Sequence, residues 1–128
     1  MAFGSRATGG VGLILAEMTA ISETGRITLG CAGIYNDNQT VAWKKITDFI
    51  HKNSQTKIGI QLGHSGRKGA TKKPWEEQPI ENPWELLSAS PIAFSSKFTT
   101  PKEMTLADMD LIVSQFVQAT KNANEAGF

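Results

Sequence analysis

The sequence predicts an α/β fold with parallel strands, and three observations lead to this fold class. Two short apolar runs, at residues 11–17 and 57–62, have the length and composition of strands buried in a parallel sheet. A helical pattern over residues 38–53 lies between them, and a second helical pattern follows residue 101. Parallel neighbours require such crossovers, so the order strand, helix, strand, helix indicates β–α units.

Length and composition agree with a piece of an ordinary globular protein. The chain has 128 residues, a net charge of +1 and one cysteine, so one domain without an internal disulfide is expected. The balanced charge gives no reason to expect a nucleic-acid partner, and no apolar run is long enough to span a membrane. We expect a cytoplasmic protein.

The first helix is predicted to begin after an irregular stretch, residues 18–37, that is rich in turn formers. Ala42, Ile46, Phe49 and Ile50 fall on one face of a helix over residues 38–53, which predicts its buried side. Asp37 or Asn38 is expected to cap its first turn, because short polar side chains accept hydrogen bonds from the free N–H groups there.

The second helix has the clearest boundary signals of the sequence. Pro101 precedes it, Thr105 and Asp108 form a capping-box pattern, and Gly127 is a candidate C-cap. The following apolar or small residues are expected to form its inner stripe: Met109, Ile112, Val113, Phe116, Val117 and Thr120. Between the second strand and this helix, residues 63–100 show no periodicity, and such a long connection is usually functional or mobile.

Two parallel strands cannot complete a sheet, because an apolar edge would stay open on each side. We therefore interpret residues 1–128 as a single partial domain of a larger α/β protein. Doubly wound sheets and (β/α)8 barrels both contain such units.

In both architectures ligands bind at the carboxyl ends of the strands, which selects Glu17 on the first strand and Gln61 on the second. Gln61 stands inside an apolar strand, where a buried amide needs partners, and its carboxamide suits a heterocycle with alternating C=O and N–H groups. A bond to a neighbouring backbone group is the alternative. Glu17 is a candidate partner for His64 or Arg67.

The second strand ends in "GHSGRKGATKK", a histidine followed by cations. His64 could act as an acid, a base or a hydrogen-bond donor to a ligand, or be a structural histidine. Arg67 and Lys68 could balance the charge of an anionic ligand, whereas Lys72 and Lys73 fit a solvated loop.

Several sharper motifs are missing. Neither a P-loop nor a dinucleotide-binding glycine motif is present, and the two histidines have no further ligands around them for zinc. Cys31 is expected to be inert rather than reactive. Trp75 and Trp84 flank an acidic stretch that could cover a flat ligand or pack on its own protein.

The ordered segments "RATGGVGLILAEMTAIS", "GRIT", "IGIQLGHSGRKG", "SASPIAF" and "TPKEMT…EAGF" resemble the Old Yellow Enzyme family of FMN-dependent NADH:flavin oxidoreductases. The segments around residues 64–76 and 83–94 are most similar to the reductase portion of anthraniloyl-CoA or salicylyl-CoA monooxygenases. The resemblance implies a partial TIM (β/α)8 barrel in which the two strands are barrel strands 2 and 3.

The resemblance also implies which residues bind the cofactor. Met18 matches a position whose backbone lies against the flavin, and Gln61 matches the glutamine that binds the pyrimidine edge of its ring. The family's basic segment beside that site corresponds to His64, Arg67 and Lys68. Glu17, at the end of the neighbouring strand, is also a candidate cofactor-binding residue. The family's substrate-binding pair and its tyrosine proton donor would lie beyond residue 128.

A small-molecule substrate and FMN, with NAD(P)H as the reductant, are thus the expected ligands, and the parent protein can be a homo-oligomer. Its expected reaction is hydride transfer through flavin N5 to an activated alkene or similar acceptor. The isolated chain is predicted to be inactive. The alternative is a truncated, non-enzymatic fragment that binds a partner.

Overall fold

The computed structural model describes residues 2–73, 75 and 83–128, and its central element is a parallel pair of strands. β1 (Leu13–Ala20) lies beside β2 (Lys57–Gly63) in register from Leu13 opposite Lys57 to Ala20 opposite Gly63. The predicted parallel pairing is therefore confirmed. Both strands differ slightly in extent from the prediction, since β1 begins and ends later than residues 11–17.

Three helices accompany the strands. α1 (Ala2–Thr8) precedes β1, α2 (Asp37–Asn53) connects the two strands, and α3 (Leu106–Glu125) follows β2. A short 3₁₀ turn (Gly66–Lys68) and a second, two-residue parallel pair, β3 (Leu87–Ser88) with β4 (Lys102–Glu103), lie in the connection between β2 and α3. The sequence analysis did not predict α1, β3 or β4.

One face of the β1–β2 sheet is covered by the helices. Ile14, Ala16 and Ile58 are buried there, against side chains of α1, α2 and α3. The centre of this core is Trp43, whose ring lies 6.1 Å from that of Phe3 and 5.2 Å from that of Phe128.

The other face of the sheet, which we call the open face, is exposed in the described part of the chain. Leu13 and Leu15 are 64% and 65% exposed, although the apolar run predicted a strand buried on both sides. The prediction was wrong for this face, because only the opposite side of the strands contacts a helix.

The buried side of α2 is rotated relative to the prediction. Thr40, Trp43, Thr47 and Ile50 are buried, whereas Ala42 and Phe49 are exposed. Trp43 lies at the centre of the buried side of α2, where its indole N–H donates to the Gly33 carbonyl at 3.1 Å. The N-cap is Asn36, which accepts from the Gln39 N–H, and neither Asp37 nor Asn38 has that role.

The beginning of α3 agrees with the prediction. Thr105 and Asp108 form the capping box, and hydrogen bonds from the Thr105 backbone and side chain lower the pKa of Asp108. At the other end the C-cap is Ala126 rather than the predicted Gly127, which follows it with a φ of +88°, a left-handed conformation that favours glycine.

The predicted inner stripe of α3 was wrong. Four of its members, Met109, Val113, Phe116 and Val117, are between 37% and 62% exposed, Thr120 is exposed and Ile112 is partly buried. Ile112 of that stripe does pack against the core, but the buried residues of α3 are smaller: Ala119, Asn122 and Ala123. Small side chains allow α3 to approach α2 closely, and Asn122 donates to the Ile34 carbonyl at 2.8 Å.

Candidate functional site

The carboxyl ends of β1 and β2 meet at one edge of the sheet, as predicted. The ladder contains a β-bulge: Ala16 lies opposite Ile60, but the next pair is Met18 opposite Gln61. Glu17 is therefore the extra residue of β1, and a bulge leaves that residue outside the ladder. The bulge brings Met18 and Gln61, the two principal predicted flavin contacts, directly beside each other.

Gln61 projects from the open face between two glycines. A side chain at Gly59 would lie 3.1 Å from Leu15, and one at Gly63 would lie 3.0 Å from Met18. Because glycine has no side chain, no group projects from the sheet at the positions on either side of Gln61 on this face. A planar ring could therefore lie on this surface and reach the amide with its edge.

The carboxamide of Gln61 is exposed and has no hydrogen-bond partner among the described residues. The argument that it is buried in an apolar strand was thus wrong, because Gln61 lies on the uncovered side. Its donors and acceptor are available, however, which is what recognition of a heterocycle edge requires. Gln61 and its two glycines fit the pyrimidine edge of a flavin.

His64 lies at the end of β2 but lines a different space. A cavity of about 330 Å³ is bounded by His64, Leu87, Met104, Met109 and Ile112, which places the imidazole on the side of α3. Its Nδ1 accepts a hydrogen bond from the Gly66 N–H at 3.1 Å. The neutral ring then carries its proton on Nε2, which is buried without a partner in the described structure. Burial lowers the pKa of His64, so the neutral form is favoured.

Arg67 does not pair with Glu17. Its Nε donates to the Ser88 Oγ and one terminal nitrogen donates to the Ser90 Oγ, each at 3.1 Å. Glu17 is exposed and its carboxylate makes no hydrogen bond or ion pair with a described residue, so the predicted pairing with Arg67 or His64 is not formed. Neither the bulge at Glu17 nor the choice of Ser88 and Ser90 as the partners of Arg67 could be inferred from residue spacing.

Lys68 lies beside an aromatic ring. Its ammonium group is 4.2 Å from the centre of the Phe94 ring, a cation–π contact, and the side chain is otherwise exposed. The predicted basic segment therefore divides: His64 faces the α3 cavity, and Arg67 and Lys68 contact residues of the following loop. In the sequence this loop could be recognised only through the "SASPIAF" segment, and its contacts with Arg67 and Lys68 could not be predicted.

The remaining candidates have local roles. Cys31 is a free thiol, partly buried, and its sulfur accepts from the Thr28 N–H. Trp84 donates to the Thr24 carbonyl and stacks under Arg26, whereas Trp75 is 77% exposed. The stretch between the two tryptophans, for which covering a ligand and packing on its own protein were the two alternatives, lies outside the described residues at positions 76–82.

Two further results concern metals and membranes. Across the described ranges, no three His, Cys, Asp or Glu side chains come together as a metal-binding group. Nor does any helix there combine the length and apolar character that a bilayer span requires.

Known proteins with similar sequences include NADPH dehydrogenases of several bacteria. The chain is 40% identical over 124 residues to an NADPH dehydrogenase of Listeria monocytogenes, covering 97% of this chain and 33% of that protein. An NADPH dehydrogenase of Bacillus subtilis is 39% identical over the same length. The chain thus spans about a third of the length of these curated relatives.

Solved structures agree with the α/β fold class. Morphinone reductase superposes with a TM-score of 0.82 at 26% identity, over 98% of this chain and 35% of that chain. TcOYE, solved with pHBA, gives a TM-score of 0.79 at 31% identity, over 98% of this chain and 38% of that chain. The chain is therefore an α/β portion of the fold of these TIM-barrel enzymes.

The family model for NADH:flavin oxidoreductases and NADH oxidases matches residues 1–128. This match confirms the predicted resemblance and, at the level of the family, FMN as cofactor with NAD(P)H as reductant. Since the model covers the whole sequence, the chain belongs to the NADH:flavin oxidoreductase / NADH oxidase family.

Proposed function

We propose that this chain forms part of the FMN site of an oxidoreductase that uses NAD(P)H to reduce an activated alkene or a similar acceptor. In this proposal β1 and β2 are strands 2 and 3 of a (β/α)8 barrel, and residues 1–128 are one partial domain of it. The observation that carries the proposal is Gln61, whose free carboxamide lies between Gly59 and Gly63 at the carboxyl end of β2.

Gln61 and Met18 contact the flavin ring in this proposal. Gln61 binds and orients the pyrimidine edge of the ring through its amide, and the Met18 backbone borders the ring from the neighbouring strand. When bound, FMN supplies the redox chemistry by accepting hydride at N5 and passing it to the acceptor. The chain contributes orientation and electrostatics.

The remaining predicted residues act from the edges of the site. Arg67 and Lys68 supply positive charge near the carboxyl end of β2, which favours an electron-rich ligand. Glu17, displaced by the bulge and exposed, is available to a ligand or to the rest of the parent protein. His64 contributes an N–H donor on the α3 side of the strand.

The test is the FMN affinity of the intact protein that contains this chain. Gln61→Leu should raise the FMN dissociation constant about tenfold, which corresponds to the loss of one or two hydrogen bonds. Gln55→Leu is the matched control, because Gln55 is exposed just before the other end of β2. Equal affinities of the two variants would contradict the assignment of Gln61.

The isolated 128-residue chain is proposed to be inactive, because it contains only part of the family's length. Titration with FMN, followed by quenching of flavin fluorescence, should show no tight stoichiometric binding. Tight binding, or consumption of NADPH by this chain, would overturn the proposal of inactivity.

A non-enzymatic, partner-binding fragment is the second candidate function. The exposed apolar side chains of Leu13 and Leu15 on the open face favour it, since exposed apolar surface marks contact with other protein segments. An intact protein that contains this chain and purifies without FMN would support this alternative over the oxidoreductase.

A further inference from the structure

Two consecutive cations of the 3₁₀ turn after β2 both hold the same loop. Arg67 donates to the Ser88 and Ser90 hydroxyls at 3.1 Å each, and the Lys68 ammonium lies 4.2 Å from the Phe94 ring centre. All three partners belong to residues 88–98, which we call the 88–98 segment. A basic sequence that resembled an anion site therefore has its side chains engaged within the protein.

The 88–98 segment has few other attachments. Its start belongs to β3, which is paired with β4 over two residues. Beyond Ser88, its hydrogen bonds are either local, such as those from Ile92 to Ser90 and from Phe98 to Ser95, or come from Arg67. Within the described structure, Arg67 thus provides the hydrogen bond that joins the outer part of the segment to the body of the fold.

The chemistry of arginine suits this task. The planar guanidinium directs several N–H groups in fixed directions, so one side chain can hold two hydroxyls at once, which the single ammonium of lysine does less well. Ser88 is only 8% exposed and Arg67 is partly buried, so these bonds are shielded from competing water. They therefore fix the segment more firmly than the same bonds on an open surface.

The position of the turn connects the segment to the site. Gly66–Lys68 begins only three residues after β2 ends, and loops at the carboxyl ends of barrel strands form the active site in such enzymes. The segment also exposes apolar side chains: Ile92 is 61% and Phe94 is 48% exposed. These surfaces suit an uncharged, apolar substrate.

We infer that Arg67 and Lys68 are positioning residues that hold the 88–98 segment beside the site, so that Ile92 and Phe94 form an apolar wall for the acceptor. This inference rests on the proposed oxidoreductase function. In this inference Arg67 and Lys68 promote the binding of an uncharged acceptor by holding the 88–98 segment in place, and they do not contact the flavin directly.

The first experiment measures kinetics of the intact FMN-loaded protein with 2-cyclohexenone as an uncharged, activated alkene. Arg67→Ala should raise the KM for this acceptor about tenfold, a larger change than the one it causes in the rate of flavin reduction by NAD(P)H without acceptor. Arg67→Lys should recover part of the loss, because a single ammonium group can still donate to one of the two serine hydroxyls. Arg6→Ala, an exposed arginine on α1, is the control and should change neither quantity.

An unchanged acceptor KM in Arg67→Ala would overturn the inference, as would an equal loss in flavin content and in both half-reactions. Lys68→Met keeps the length of the side chain and removes its charge, and it should raise the KM about threefold through loss of the contact with Phe94. No change in that variant would remove Lys68 from the assignment.

The second experiment does not depend on flavin. Hydrogen–deuterium exchange of the 128-residue chain should show exchange in the 88–98 segment about fivefold faster in Arg67→Ala than in Arg6→Ala, with α2 unchanged. Equal exchange would disprove the positioning role. If the intact protein is found to contain no FMN but the 88–98 segment still exchanges faster in Arg67→Ala, the proposed function is refuted. The positioning role of Arg67 is then still supported.

Discussion

Replacement of Trp43 by phenylalanine should destabilise the fold strongly, because this side chain combines a buried ring with a buried hydrogen bond. Trp43 is 8% exposed, packs between Phe3 and Phe128, and donates its indole N–H to the Gly33 carbonyl at 3.1 Å. Phenylalanine retains most of the apolar volume but cannot donate. The Gly33 carbonyl would then be left without that partner in the core.

The expected cost has two parts. A buried polar group that loses its partner costs about 1–3 kcal/mol. The smaller ring removes a further amount of about 1 kcal/mol, a fraction of the 3–5 kcal/mol typical of complete truncation to alanine. The free energy of unfolding should therefore fall by about 2–4 kcal/mol, a large share of the 5–15 kcal/mol that stabilises an ordinary domain.

Urea unfolding followed by far-ultraviolet circular dichroism would measure this loss. With a slope of about 2 kcal/mol per molar, the midpoint of Trp43→Phe should fall by about 1–2 M. Trp75→Phe is the matched control, since Trp75 is 77% exposed and should shift stability by less than about 0.5 kcal/mol. Equal midpoints for the two variants would refute the role given to Trp43.

Three further predictions concern His64, Thr105 and Gly69. Burial lowers the pKa of His64 below its ordinary value of 6.5, so the unfolded chain binds its proton first as the pH falls. The stability that depends on the neutral imidazole is therefore present above pH 6.5 and is lost as the pH falls from 6.5 toward the folded pKa. The free energy of unfolding of His64→Asn, measured from pH 5 to 8 beside the parent chain, should lack this loss. The same pH dependence in both proteins would contradict the prediction. Thr105→Ala should lower the free energy of unfolding by about 1 kcal/mol by removing the α3 cap, with Thr105→Asn near the parent in urea unfolding; no difference between them would count against the cap. Gly69→Ala should lower the melting temperature by several degrees, because the new methyl group would lie 3.0 Å from the Arg26 carbonyl, and an unchanged temperature would show that the two loops separate easily.

The strands and the capping box could be predicted because their signals are local. A short apolar run and a Thr–Asp pair three residues apart determine structure with little help from the rest of the chain. The parallel alignment of β1 and β2, and hence the proximity of their carboxyl ends, followed from the helix between them.

The helix faces could not be predicted because they depend on close packing of small residues. In α1, a side chain at Gly4 would lie 2.8 Å from the Phe49 ring, so this helix lies against α2 through the absence of a side chain. In α3, Ala119 and Ala123 pack closely where larger residues were expected. Hydrophobicity alone favours the large side chains and therefore chose the wrong stripe.

The site was predicted correctly in place but not in its contacts. Met18 and Gln61 are neighbours, as the carboxyl-end rule indicates. The partners of Arg67, however, are serines more than twenty residues further along the chain. No spacing rule connects a strand end with a distant loop, so only the folded structure could identify these bonds.

The bulge at Glu17 reverses the parity of β1, and this affects how mutations on the strand should be chosen. Below the bulge, the odd-numbered Leu13 and Leu15 occupy the open face, and simple alternation would assign Thr19 to that face as well. Thr19 is instead completely buried, and the even-numbered Met18 lies opposite Gln61. A library of substitutions intended to reshape the open face should therefore vary residues 13, 15 and 18, and deletion of Glu17 would remove the bulge while Met18 keeps its position opposite Gln61.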